Sequence, residues 1–373
     1  MHQHLESIGF NLIELIGQLD NLGVYITDRN RRILFWNQGA QRIMGYEAEE
    51  VVGKACRENV LCHIDRHGRP LCGEDVCPLF HAIRTGKAST VSSFVFGKHR
   101  NGKRIPVSVT VSPLRDAQGD VVGGIELFRD ATAEWDQLRM AQGIQRRFMP
   151  DPLELSRELP LAYHWLPAEM IGGDVVQVQT VAPGIVFGLF VDVSGHGIAS
   201  ALLTGFLWRA LEGVRNPDLR PASVLKELAR QYQSLNLETH YFSAVCFRYE
   251  LAARRLILAN AGHPLPVVVE RPEPARYLDL TGDLIGLFEM PEFSEQELVM
   301  KNARVVIYSD GCVEARDPAG VPFGGERFLR QVEQAGALPG VAAAKHLVEV
   351  AFDYTQAPEP EDDMTVLVID SPA

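Results

Sequence analysis

No run of apolar residues in this chain is long. The longest, about residues 185 to 191, falls well short of the roughly 20 that a helix needs to cross a bilayer. Cysteine is scarce, and six in 373 residues cannot build a disulfide scaffold. Four of the six fall between 56 and 77, which points to a local site in a reducing compartment. Positive charge is in deficit, with 36 Lys and Arg against 48 Asp and Glu and a net charge of -12. Such a chain repels phosphate backbones, and no basic stripe offsets the average, so no nucleic-acid partner is expected. The opening residues Met1-His2-Gln3-His4-Leu5-Glu6 have neither a basic region nor a small-residue cleavage site, so they do not read as a secretory signal. The expected setting is cytoplasmic, with no membrane partner. What the chain does have is an ordinary globular mix, 46% hydrophobic and 23% charged, at a length that suggests about two domains.

Leu5, Ile8, Leu12, Ile13, Leu15, Ile16, Leu19 and Leu22 recur close to helical spacing, so a helix is expected over 1–19. Residues 24–27, 32–37, 92–96, 104–113 and 121–128 read as strands around a central helical segment that ends near Gly45. Asn101-Gly102 and Gln118-Gly119-Asp120 supply turns. Over 130–149 the pattern turns helical, with Trp135, Leu138, Met140, Ile144 and Phe148 as an imperfect apolar stripe that Pro150 stops. A spacer and a dimerising coiled coil fit this helix about equally, since its heptads are few. Beyond it, unbroken apolar strands at 184–193, 241–249, 256–261, 265–269, 304–309 and 365–369 alternate with helices at 197–211, 221–234 and 326–334. Strands of that kind are buried on both faces, so sheets covered by helices are expected. The division that follows is 1–19, 20–133, 134–150 and 151–373.

Aspartates stand where these apolar strands start or stop. Gly172-Gly173-Asp174 precedes one strand, Asp192-Val193-Ser194-Gly195-His196-Gly197 ends a second, Ser309-Asp310-Gly311 ends a third, and Asp362-Asp363 begins a fourth. A carboxylate at a strand end sits at the rim of a sheet, where ligands are held. Any one of them is equally an ordinary turn residue, but four in one domain weaken that explanation. Converging carboxylates without thiolate or imidazole suit Mg²⁺ or Mn²⁺ in oxygen coordination. Two such ions about 3.5–4 Å apart activate a water toward phosphorus. The spacing therefore supports metal-assisted phosphoester hydrolysis.

These motifs also carry a resemblance. With Ala259-Asn260-Ala261-Gly262-His263-Pro264, the run Tyr308-Ser309-Asp310-Gly311-Cys312-Val313-Glu314-Ala315-Arg316, Phe323-Gly324-Gly325 and Asp362-Asp363-Met364-Thr365, they follow one another as in a known family. Residues 140–371 resemble the SpoIIE-like branch of the PPM metal-dependent serine/threonine phosphatases. The resemblance implies two central antiparallel sheets flanked by helices, an α/β/β/α sandwich. It implies two Mn²⁺ or Mg²⁺ ions on Asp174, Asp192, Asp310 and Asp362, with Asp363 an adjacent candidate and the Val193 carbonyl a backbone ligand. It implies direct attack of metal-bound water on phosphoserine or phosphothreonine, with Asp192 and Asp310 at the chemistry. His196 is a candidate proton donor to the leaving oxygen, although a His so placed more often packs or hydrogen-bonds its loop; His263 reads as part of a turn. The implied substrate is a phosphorylated STAS-type anti-sigma-factor antagonist. One departure stands out: where many members read Gly-Gly-Asp-x-x-Asp, this chain has Gln177. That leaves a second possibility, a phosphatase fold without turnover that sequesters a signalling partner.

Residues 20–133 resemble a PAS domain, through Ile33-Leu34-Phe35-Trp36-Asn37, Met44-Gly45-Tyr46, Glu49-Glu50-Val51-Val52-Gly53-Lys54, Asn101-Gly102-Lys103-Arg104-Ile105-Pro106-Val107 and Arg129-Asp130-Ala131-Thr132. The resemblance implies a sensor that passes a signal through the helix after it. The fold class is then α/β (α+β): PAS fold, linking helix and PPM-type sandwich, expected as a homodimer through its helical segments. Cys56, Cys62, Cys72 and Cys77, with His63 among them, are a candidate cofactor site for Zn²⁺ or an iron–sulfur cluster. A redox pair of Cys72 and Cys77 and plain burial are the alternatives. Cys246 and Cys312 read as packing residues.

Overall fold

The computed structural model describes residues 12–58, 60–73, 76–91, 94–195, 197–235 and 240–372. These form two compact units that divide between Arg139 and Met140. Of the expected N-terminal helix, residues 1–11 lie outside the described residues; α1 (Leu12–Gln18) is helical.

The first unit is built on one six-stranded antiparallel sheet. Its strands are β1 (Gly23–Asp28), β2 (Ile33–Trp36), β3 (Ser89–Thr90), β4 (Val95–Lys98), β5 (Arg104–Arg115) and β6 (Val121–Asp130), in the order β2-β1-β6-β5-β3 with β4 also on β5. Gly119, at φ 90°, makes the β5–β6 turn that only a residue free of Cβ adopts easily. Helix α2 (Gln38–Met44) starts where Asn37 Oδ1 accepts the Ala40 N–H at 2.8 Å, and it stops at left-handed Gly45. A short turn, α3 (Ala48–Val51), follows. The helix α4 (Pro78–Thr85) was not among the expected elements, yet it begins at a proline and ends at left-handed Gly86. Tyr25, Ile33, Trp36, Met44, Leu61 and Phe128 form the core of this unit. Helix α5 (Thr132–Gln145) is shorter than its sequence pattern. Arg147 N–H bonds the Ile144 carbonyl and Phe148 N–H the Gln145 carbonyl, so the chain tightens into turns before Pro150.

The second unit is a four-layer sandwich. After α6 (Pro152–Glu158) come β7 (Leu161–Leu166), β8 (Asp174–Ala182), β9 (Ile185–Val193), α7 (Ile198–Glu212) and α8 (Pro221–Gln233). Next are β10 (Phe242–Glu250), β11 (Arg255–Ala261), β12 (Val267–Glu270), β13 (Arg276–Tyr277), β14 (Glu295–Val299) and β15 (Ala303–Tyr308). The chain closes with α9 (Gly311–Glu314), α10 (Gly325–Gln334), α11 (Gly340–Thr355) and β16 (Met364–Asp370). The two five-stranded sheets run β14-β11-β10-β9-β8 and β13-β12-β15-β16-β7, antiparallel throughout.

Between the sheets, Phe190, Val245 and Phe247 of one face meet Tyr163, Ile307 and Leu367 of the other. The outer face of the first sheet is covered by Leu207 of α7 and Leu225 and Leu228 of α8. The outer face of the second is covered by Phe328 of α10 and Leu347 and Val348 of α11. Both faces of each sheet are thus apolar, which is why the strands read as unbroken hydrophobic runs rather than alternating ones. The PAS-like sheet and the PPM-type sandwich expected from sequence both hold.

Candidate active site

The ends of β8, β9, β15 and β16 meet at one edge of the sandwich, and each brings an aspartate. Asp174 and Asp192 are register partners on adjacent strands. Asp310 stands two residues past the end of β15, after Ser309, and Asp362 and Asp363 immediately precede β16. Ser309 locks the second pair of strand ends together: its Oγ accepts the Thr365 N–H at 2.9 Å and donates to the Asp363 carbonyl at 3.1 Å. Glycines permit the crowding, since a Cβ on Gly172 would stand 2.2 Å from Asp363 Oδ2, and one on Gly311 2.2 Å from the Asp363 carbonyl. The Val193 carbonyl lies against Gly173, 2.8 Å from where its Cβ would be.

Like charges at such a place resist ionisation. Burial raises the Asp174 carboxyl well above its ordinary range, and Asp192 and Asp363 raise it further. Burial, then Asp310 and Asp362, push Asp192 up to about 8. Burial and Asp362 push Asp310 up to about 6, and Asp192 and Asp310 stand within hydrogen-bonding reach of each other. The five carboxyls differ in what they already hold. Asp363 is buried and spent on backbone donors: Ala168 N–H at 2.8 Å on Oδ1, with Gly173 N–H at 2.6 Å and Asp174 N–H at 3.4 Å on Oδ2. Asp174 Oδ2 accepts the Thr365 hydroxyl, while its Oδ1 is buried with no hydrogen-bond partner. Asp362 is exposed.

That donor set suits a hard cation. It is all oxygen, it includes an orphaned buried carboxylate oxygen, and the mutual repulsion of its members is what added positive charge relieves. Among the described residues, no three His, Cys, Asp or Glu side chains already stand in an ion-holding arrangement, here or in the first unit.

The remaining site candidates fall as follows. His196 lies outside the described residues. His263 is buried, its Nδ1 2.7 Å from Ser243 Oγ, and burial lowers it to about 3, so it is a neutral core histidine. Asn260 builds that turn, taking the His263 N–H at 2.7 Å and giving its amide to the His263 and Leu280 carbonyls. Gln177 does not face the aspartates. Three residues beyond Asp174 on an extended strand it points to the opposite face, where its amide donates to the Trp208 carbonyl of α7. Cys246 and Cys312 are buried packing residues, as expected.

Sequence reasoning missed Thr365, Ser309 and Gln145. Gln145, at the end of α5, is buried and grips Gly172 with both ends of its amide: Nε2 to the carbonyl at 2.6 Å and Oε1 from the N–H at 3.1 Å. Its one signal was a polar residue beside Ile144 within an apolar stripe.

In the first unit Cys56, Cys72, Cys77 and His63 line one cavity of about 10 Å³, room for roughly one water. Cys62 does not line it; its Sγ lies 3.3 Å from the Arg57 carbonyl instead. Burial pushes the Cys56 thiol far up and that of Cys72 up to about 11, so neither is a ready thiolate. Of the four cysteines expected to hold Zn²⁺ or an iron–sulfur cluster, the buried Cys56 and Cys77 and the half-buried Cys72 therefore share a cavity with His63, and no ion-holding group of side chains supports that expectation among the described residues. The surprise in that cavity is Glu126, buried beside Tyr25, whose hydroxyl donates to Oε2 at 2.8 Å. Glu126 Oε1 and His63 Nε2 lie 3.7 Å apart, and neither has a hydrogen-bond partner.

Fold and edge together define a PP2C-type phosphatase fold preceded by a PAS fold. Residues 183–372 match the model of the Stage II sporulation protein E (SpoIIE) family, and the chain belongs to that family. Residues 21–133 match a PAS domain model. Among curated relatives, the chain is 30% identical over 186 residues to the phosphoserine phosphatase RsbP of Bacillus subtilis, covering 48% of this chain and 45% of that one. It is 22% identical over 187 residues to the phosphoserine phosphatase RsbU of the same organism, covering 49% and 55%. The chain thus spans about half the length of the curated relatives it matches. Among solved structures, the SiaA PP2C domain of Pseudomonas aeruginosa superposes with a TM-score of 0.57 at 24% identity, over 64% of this chain and 98% of that one, and shares the fold. No helix among the described residues is long and apolar enough to cross a membrane.

Proposed function

We propose that the chain is a Mg²⁺- or Mn²⁺-dependent phosphoprotein phosphatase acting on phosphoserine or phosphothreonine, with a phosphorylated STAS-type protein as substrate. The observation that carries this reading is the convergence of Asp174, Asp192, Asp310 and Asp362 at one sheet edge, with Asp174 Oδ1 buried and unpartnered. Two divalent ions, if held there, would supply Lewis acidity toward a phosphoryl group and toward a nucleophilic water. Asp192, Asp310, Asp174 and Asp362 are the side chains that would hold them, with the Val193 carbonyl. Asp363 acts differently, because both its oxygens are on backbone N–H groups, and it pins the Gly172–Asp174 turn to the start of β16. Thr365 fixes the Asp174 carboxylate from below, leaving its second oxygen for the ion.

The competing reading, a fold without turnover, rested on Gln177. That residue bonds α7 on the other face of the sheet, so it takes nothing from the site. A homodimer through the helical segments belongs to the same proposal, and sedimentation velocity tests it. The function is tested by phosphate release from a phosphoserine protein. Release should require Mn²⁺ or Mg²⁺, stop with chelator and fall by about a hundred- to a thousandfold in Asp310→Asn, the scale on which catalytic electrostatics act. Release that survives chelator or Asp310→Asn would refute it.

A further inference from the structure

Beside the aspartate edge the surface turns apolar. Tyr241 and Ser194 tie that surface to the site: Ser194 N–H donates to the Tyr241 carbonyl at 2.9 Å and Tyr241 N–H to Ser194 Oγ at 3.1 Å, two residues past Asp192. Phe242, next in the chain, exchanges backbone bonds with Ile285 at 3.0 and 3.1 Å, which brings up the loop that follows. The tip of that loop is held from the other side by the end of α8, where Gln233 Nε2 donates to the carbonyls of Phe288 at 3.2 Å and Glu289 at 2.6 Å.

These mutually bonded segments expose five large apolar side chains: Leu235, Tyr241, Leu287, Phe288 and Met290, the last at 88%. Single exposed apolar residues are ordinary. Five on segments fastened to one another at the lip of a candidate active site make a patch of the kind that binds a partner. The same loop carries the exposed carboxylates Glu289 and Glu292.

We infer that this lip is the docking surface for the protein that carries the phosphorylated residue, and that it selects a segment with apolar and basic side chains next to the phosphoserine. The inference rests on the phosphatase reading and specifies its substrate class. The apolar side chains supply the contact, and Glu289 and Glu292 select positive charge. A second copy of the chain meeting this patch about a twofold axis would bring two sets of the same carboxylates together, and an anionic bilayer is repelled by them as well. Because Tyr241 is bonded to the segment after Asp192, a chain seated on the lip delivers its neighbouring phosphoester to the aspartates.

Two phosphoserine peptides of equal length test this on the full chain, one flanked by Leu and Lys, the other by Gly and Glu, with p-nitrophenyl phosphate as a substrate too small to reach the lip. With Mn²⁺ present, the Leu/Lys peptide should show a KM roughly tenfold lower than the Gly/Glu peptide, a difference of the size that a few interface side chains produce. In the double variant Phe288→Asp, Met290→Asp the ratio should fall to about one while p-nitrophenyl phosphate is hydrolysed at the wild-type rate. Equal KM values in the wild type, a ratio unchanged in the variant, or no cleavage of either peptide while p-nitrophenyl phosphate is cleaved would overturn the docking assignment. Failure to hydrolyse p-nitrophenyl phosphate as well would overturn the phosphatase reading itself, and the docking surface with it.

Discussion

Asp174 has one oxygen held by the Thr365 hydroxyl and the other held by nothing in the protein. A side chain so placed is oriented by its neighbour, and neighbours of that kind typically contribute 10–100-fold to metal affinity or activity. Thr365→Val keeps the shape and removes the donor, so phosphate release should drop by roughly that factor, with Thr365→Ser restoring most of it; equal activity in the Val variant would contradict the role. Glu126 poses the opposite problem, a buried carboxyl with no cation. Burial raises it to about 8, against a hydrogen bond from Tyr25 that lowers it, so it is neutral in the folded chain at neutral pH. Its folded value exceeds its unfolded one, so the stability it contributes is full below pH 4.5 and is lost as pH rises toward about 8. Each pH unit crossed in that window costs roughly 1.4 kcal/mol. Burial lowers His63 to about 4, and its loss runs the other way, as pH falls below 6.5. Calorimetric melts should therefore show Glu126→Gln gaining on the wild type as pH rises from 4.5 to 8, whereas parallel curves would mean that Glu126 ionises freely.

At the scale of elements, helix α5 illustrates what a polar residue does where only the end of its element is buried. Gln145 replaces two backbone partners that Gly172 would otherwise find in water. Gln145→Ala leaves a buried N–H and carbonyl unpaired, which costs roughly 1–3 kcal/mol for each group not rescued by water. The second unit should melt earlier and phosphate release should weaken, because Gly172 leads directly into Asp174; an unchanged melt would show that the bonds are replaced. Elements differ in how readable they were. Strands β9, β10 and β15 declared themselves as unbroken apolar runs, and α8 by its leading Pro221. Helix α11 did not: Gly340 opens it after Pro339 with no side-chain cap, and its Ala- and Val-rich run is apolar on more than one side. Strands β7 and β14 escaped because Leu161–Leu166 mixes His and Trp into an apolar segment and Glu295–Val299 is a half-exposed edge strand. The short α4 escaped despite Pro78 and Gly86, since the cysteines around it drew a metal-site interpretation instead.

For the molecule as a whole, the order of motifs carried most of the information. Five short motifs in sequence place five aspartates at one sheet edge although Asp174 and Asp363 are 189 positions apart, and no local rule of spacing joins them. What sequence could not give was the division of labour among them. That Asp363 is consumed by amide donors while Asp174 keeps a free oxygen depends on where Ala168, Gly173 and Thr365 fall in the folded chain. Gln177 shows the same limit from the other side, because its distance from the site follows from strand alternation and not from the motif it interrupts. The central claim is that these carboxylates form a centre for divalent metal. It is tested most directly by calorimetric titration of the full chain with Mn²⁺, wild type beside Asp310→Asn. The account predicts saturable uptake of about two ions per wild-type chain and a weaker or smaller uptake by the variant. No saturable binding, or identical binding by the two proteins, would contradict it.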